Sequence, residues 1–187
     1  HVAEALGNIG QDAKDAVPAL IHVLQDEIEY VRLTAAGALG NIGQDAEDAV
    51  PALILVLQDE SSNVRRHAAE ALGNIGQDAK EAVPALILVL QDEIEHVRLT
   101  VAEALGNIGQ DAKDAVPALA HALQDESSNV RRHVAEVLGN IGQGTKDAVP
   151  ALIFALQDQS SNVRLTAAGA LGNIGQGTKD AEDAVPA

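Results

Sequence analysis

The chain has 187 residues with 28 Asp and Glu against 12 Lys and Arg, a net charge of −16, and its 47% hydrophobic content is enough for a buried core despite that charge. Such an acidic surface repels phosphate backbones and anionic lipid, which argues against nucleic acid and membrane surfaces as partners, and no apolar run reaches the ~20 residues of a membrane span. With no Cys, disulfides, thiolate metal sites and thiol nucleophiles are excluded; with no Met or Trp, one Tyr (Tyr30) and one Phe (Phe154), the core must be built from Ala, Val, Leu and Ile.

In chain order, residues 1–10 match the last part of a helix and carry the first copy of Leu-Gly-Asn-Ile-Gly. That pentapeptide occurs six times, at Leu6, Leu39, Leu72, Leu105, Leu138 and Leu171, each 33 residues after the last. A fixed period of this length means a stack of one supersecondary unit. Residues 48–76 serve as the unit. Val50, Leu53, Ile54 and Leu57 fall at i, i+3, i+4 and i+7, one stripe of a first helix. Asp48 stands where an N-cap is expected, and Pro51 falls in the first turn, where a missing N–H costs little. Residues 58–62 are polar and read as a turn. Val64, Ala68, Ala71, Leu72 and Ile75 form the stripe of a second helix, and Gly76 is placed for a left-handed C-cap. Gly73 lies inside that helix, where Gly costs about 1 kcal/mol. Its repetition predicts a close approach of backbones between helices. Residues 77–80 read as a linker. Both ends of the chain fall inside a repeat, with no polar cap, which reads as an excerpt of a longer array.

Between repeats the spacing of Pro51, Asp59 and Val64-Arg65 recurs. It is seen at Pro18, Asp26, Val31-Arg32; Pro84, Asp92, Val97-Arg98; Pro117, Asp125, Val130-Arg131; and Pro150, Asp158, Val163-Arg164. With the Ala-Ala-Glu-Ala-Leu-Gly-Asn-Ile-Gly stretch at 68–76, these residues make the chain resemble HEAT repeats, most closely the short HEAT-like repeats of the phycobilin-lyase type. The ankyrin Thr-Pro-Leu-His turn and the Trp and Tyr positions of tetratricopeptide repeats are absent. The resemblance implies an all-α, α-solenoid fold: a superhelix of antiparallel helix pairs, first helices convex and second helices concave. It implies one array over 1–187, with five full periods and a truncated repeat at each end. It also implies an Asp–Arg ladder between neighbouring repeats, so Arg32, Arg65, Arg98, Arg131 and Arg164 read as structural.

Copies of one unit share their core needs, so the positions that differ are informative. Ile28-Glu29-Tyr30 becomes Ser61-Ser62-Asn63, Ile94-Glu95-His96, Ser127-Ser128-Asn129 and Ser160-Ser161-Asn162. Leu33-Thr34 becomes Arg66-His67, Leu99-Thr100, Arg132-His133 and Leu165-Thr166; Gly37 becomes Glu70, Glu103, Glu136 and Gly169. Positions 33, 34 and 37 share one helix face. That is the face this family turns to its partner. The alternation has a period of 66 residues, which points to a duplicated two-repeat block. The variable first-helix position (His22, Leu55, Leu88, His121, Phe154) reads as packing or tolerated exposure.

The first functional expectation is a non-enzymatic scaffold, without cofactor, that binds a protein or peptide on the concave face. Arg66, His67, Glu70, Arg132, His133 and Glu136 supply polar contacts. Tyr30, Leu33, Thr34, His96 and Leu99 complete the face, its apolar and aromatic members serving as anchors. The acidic balance favours a partner with a basic patch. The second expectation is an enzyme or enzyme subunit. Deoxyhypusine hydroxylase, a HEAT-like enzyme, draws iron ligands from adjacent His-Glu pairs. Here His67-Ala68-Ala69-Glu70, His133-Val134-Ala135-Glu136 and His1-Val2-Ala3-Glu4 place His and Glu at i, i+3, but Ala68 and Val134 stand where that Glu should follow the His. No metal site is expected. The phycobilin lyases bind a linear tetrapyrrole, for which one Tyr, one Phe and few cations are a poor pocket. The third expectation is a purely structural array that associates end to end. A cytoplasmic location fits all three.

Overall fold

The computed structural model describes residues 14–142 and 147–175. His1, Glu4 and the truncated end repeats lie outside them. Every described element is a helix, with no strand among the described residues. The chain divides into two compact units, His1–Ile108 and Gly109–Ala187.

The first unit contains three helix pairs: α1 (Val17–Val23) with α2 (Glu29–Ile42), α3 (Val50–Val56) with α4 (Ser62–Ile75), and α5 (Val83–Val89) with α6 (Glu95–Ile108). The second unit contains α7 (Val116–Ala122) with α8 (Ser128–Ile141), and α9 (Ala148–Ala155) with α10 (Ser161–Gly175). The stripes read from the sequence supply the core, save Ile54, which stays half-buried. Val50, Leu53 and Leu57 of one helix and Val64, Ala68, Leu72 and Ile75 of its partner are all buried.

Three local expectations are corrected. Asp48 does not cap α3: the cap position is Ala49, which makes no side-chain cap bond. The reason is that a 3₁₀ turn, Gly43–Ala49, runs straight into the helix, and the Val50 amide is already taken by the Glu47 carbonyl. The linker expected at 77–80 is likewise a 3₁₀ segment, Gly76–Ala82. Nor does Gly76 adopt the left-handed helical cap. It sits at φ 75°, ψ −134°, and Gly43 at φ 71°, ψ −136°, in a region that only glycine occupies freely.

Within each unit the second helices pack side by side, α4 against both α2 and α6, and α8 against α10. The in-helix glycines are the reason they can. A Cβ on Gly73 would lie 2.9 Å from Ala104 Cα, one on Gly40 3.1 Å from Ala71 Cα, and one on Gly139 2.8 Å from Ala170 Cα.

An ion-pair ladder ties adjacent repeats together. Arg32 donates through Nε and Nη2 to both Asp59 carboxylate oxygens at 2.7 and 3.0 Å. Its Nη1 donates to the Asp26 and Glu27 carbonyls of its own turn. Arg65 holds Asp92 in the same fork at 2.6 and 2.9 Å, and in the second unit Arg131 holds Asp158 at 2.7 and 2.9 Å. Each Asp also accepts the backbone N–H two residues on, closing the turn before the second helix, as Ser61 N to Asp59 at 2.9 Å. The fork neutralises the carboxylate while its remaining lone pairs shape the turn. The arginines are structural in these pairs, as the resemblance implied.

Candidate functional site

Packing that buries Ala68, Ala71 and Leu72 leaves the opposite flank of each second helix to solvent. In the first unit this flank carries Tyr30, Leu33, Thr34 and Gly37 on α2; Asn63, Arg66, His67 and Glu70 on α4; and His96, Leu99, Thr100 and Glu103 on α6. Tyr30 is 61% exposed and Leu33 and Leu99 are half-buried, so the apolar members keep surface to give. The hydroxyls of Thr34 and Thr100 are spent on their own helices, donating to the Tyr30 carbonyl at 2.6 Å and the His96 carbonyl at 2.9 Å.

Arg66, His67 and Glu70 form one connected group. His67 Nδ1 lies 2.7 Å from the Asn63 carbonyl, which fixes that nitrogen as the donor. Nε2 is then free to accept from Arg66 Nη2 at 3.2 Å, while Arg66 Nη1 lies 3.3 Å from Glu70 Oε2. The imidazole edge rests against α2, with Cδ2 3.6 Å from where a Gly37 side chain would begin. In the second unit the equivalent residues join differently: Arg132 lies 3.8 Å and His133 3.7 Å from Glu136 Oε2. Ala68 and Val134, the residues after each His, are fully buried and can present nothing to a ligand. No group of three or more His, Asp or Glu side chains converges among the described residues.

Between α4 and α6 the face opens into a cleft of about 180 Å³, lined by Arg66, Glu70, Gly73, Asn74, Thr100, Glu103, Ala104 and Asn107. Its floor is the Gly73–Ala104 approach and its walls are polar. Sequence reasoning included Arg66, Glu70 and Thr100 among the varying face positions but missed Asn74 and Asn107. These belong to the invariant pentapeptide, so a search for differences between copies passes over them. Their spacing of four from Glu70 and Glu103 is the signal that places them on the same face.

A model of HEAT repeats matches the chain over residues 1–59, 50–132 and 116–187. The chain belongs to the HEAT-repeat family. No curated protein matches it in sequence. Among solved structures it is similar to an engineered protein (28% identity, TM-score 0.69, covering 94% of this chain and 89% of that one). It is also similar to the complex of CpcE and CpcF of phycocyanin lyase from Nostoc sp. (33% identity, TM-score 0.64, 92% of this chain and 70% of that one). A designed armadillo repeat protein in complex with the peptide (KR)4 shares the fold (22% identity, TM-score 0.73, 92% and 90% covered). The fold is an α-solenoid, which this HEAT-repeat chain shares with a designed armadillo repeat protein and with a lyase complex.

Proposed function

We propose that this HEAT-repeat chain is a non-enzymatic scaffold that holds a protein or peptide against the exposed flank of its second helices, the face expected to be concave. The observation that carries the reading is the cleft between α4 and α6, whose walls are exposed polar side chains on a floor of closely packed backbone. The Asn74 and Asn107 amides each offer donors and an acceptor, the complement of a peptide group. Half-buried Leu33 and Leu99 flank Arg66 and give apolar anchorage on either side of a polar centre. The armadillo neighbour carries a peptide on the same kind of scaffold, and the charge of −16 favours a partner with a basic patch. The test is a pull-down from source cells with the array beside a variant carrying Ser at Arg66, His67, Arg132 and His133. A partner retained by the first and weakened about tenfold in the second supports the reading. Equal retention by both rejects this face.

The likeness to CpcE and CpcF favours a second reading, a subunit that handles a bilin. Purified protein that takes up a bilin and gains its visible absorption would support it, and failure to do so at saturating bilin would end it.

A further inference from the structure

The second-helix face follows a charge rule that one repeat breaks. The residue at the Leu33 position and the one four later make a matched pair in four of five repeats: Leu33 with Gly37, Arg66 with Glu70, Arg132 with Glu136, Leu165 with Gly169. Each pair is neutral, either because both charges are present or because neither is. The Arg–Glu pairs meet, at 3.3 Å in α4 and 3.8 Å in α8. The repeat of α6 departs from this. Leu99 stands four residues before Glu103, so the carboxylate has no cation one turn back on its face of the helix, and Arg98 of the same helix is buried and donates to the Asp92 and Glu93 carbonyls. Glu103 is exposed and takes part in no ion pair or hydrogen bond among the described residues. It lines the cleft between α4 and α6, where Arg66 is committed to Glu70 and His67, and Thr100 to the His96 carbonyl.

We propose that Glu103 is the specificity-determining anchor of this face, and that it receives a Lys or Arg side chain of a bound peptide. The inference rests on the scaffold reading above. The cleft supplies what such a side chain needs: one carboxylate without an ion-pair partner, amide acceptors at Asn74 and Asn107 for the remaining N–H groups, and the Gly73–Ala104 floor for the alkyl stem. An acidic peptide would meet the uncompensated carboxylate and be repelled.

The test uses the full chain and two fluorescent octapeptides, one alternating Lys and Ala and the other Glu and Ala, followed by anisotropy at about 0.15 M salt, where exposed charges are screened beyond ~8 Å. The Lys peptide should bind and the Glu peptide should not. Glu103→Gln should weaken the Lys peptide about tenfold, while Glu81→Gln, an exposed carboxylate on the 3₁₀ segment, should change it less than twofold. Equal weakening by the two variants would mean diffuse attraction to net charge and overturn the anchor. Thr100→Trp, which fills the cleft without changing charge, separates the two levels. Loss with Thr100→Trp but not with Glu103→Gln overturns the anchor and keeps the face, whereas binding indifferent to both overturns the face as well. No binding of the Lys peptide to the unaltered chain also overturns the anchor.

Discussion

Gly37 and Gly73 lie inside equivalent second helices, at different positions of the repeat, and a side chain would meet very different surroundings at each. A Cβ on Gly37 meets His67 at 3.6 Å, an ordinary contact, whereas one on Gly73 meets Ala104 backbone at 2.9 Å. Gly37→Ala should therefore stabilise by up to about 1 kcal/mol through helix propensity alone. Gly73→Ala should destabilise by about 1–2 kcal/mol, because forced separation of two helices outweighs that gain. Urea unfolding of the two variants reads the opposite signs. Gly73 was legible in the sequence, since a costly residue repeated inside a helix needs a steric reason. Gly76 was legible as the C-cap, and it takes the cap position with positive φ, but not as the conformation it adopts. Its ψ of −134° is set by the 3₁₀ segment that follows, and nothing in the local sequence distinguishes that segment from a linker. Asp48 misled for the same cause, because a helix that continues from a preceding turn has no orphan amides for a cap to satisfy.

Between elements, the forked Arg–Asp pairs carry the joints. The Arg32 side chain is 10% exposed and that of Asp59 11%, so Asp59→Ala would strip a mostly buried guanidinium of its forked partner, leaving the exposed Glu60 carboxylate at 3.9 Å as its counter-charge, and should cost about 3 kcal/mol. These pairs also set the acid limit. Burial pushes the Asp59 carboxyl up, but hydrogen bonds from Arg32 and the Ser61 amide, with the nearby Arg charges, outweigh it and hold it below the ordinary value. Asp92 is lowered by the same balance with Arg65 and Ile94. In Asp158 the hydrogen bonds of Arg131 come first and burial opposes them. A carboxylate depressed in the folded state contributes its stability above its unfolded pKa and loses it as pH falls through the folded one. The urea midpoint should therefore be insensitive to these groups from neutral pH to about 5, and should drop below about pH 4. Asp59→Asn should show a shallower drop than the unaltered chain. The ladder was legible by resemblance; the second duty of each Asp, closing the turn that starts the second helix, emerges only with the backbone in place.

At the scale of the molecule, the fixed period made the helical fold legible throughout the described residues, while the candidate site was legible in part. Differences between copies located Arg66, His67 and Glu70 on one face, which the structure joins, but the identical Asn74 and Asn107 complete the cleft. Which positions meet across two helices depends on how closely those helices approach, and that is a tertiary fact. Among the described residues no helix is long and apolar enough to cross a membrane. The charge of −16 makes association with a cationic partner salt-dependent: the on-rate measured by stopped flow should fall about tenfold or more between ~0.01 M and ~0.3 M salt, with the off-rate changing far less. A rate indifferent to salt would show that apolar anchors alone govern capture.

Arg32 grips its own turn with one nitrogen and reaches 27 residues ahead to Asp59 with the other two, so a joint is complete as soon as two neighbouring blocks exist. Unequal recombination that removes one 33-residue block would therefore leave no ladder charge stranded, yet it would set two like registers side by side and break the alternation at that junction. Recombination in 66-residue steps keeps both the joints and the order of registers. An array whose ligand is read across several repeats is therefore expected to change length in the double step.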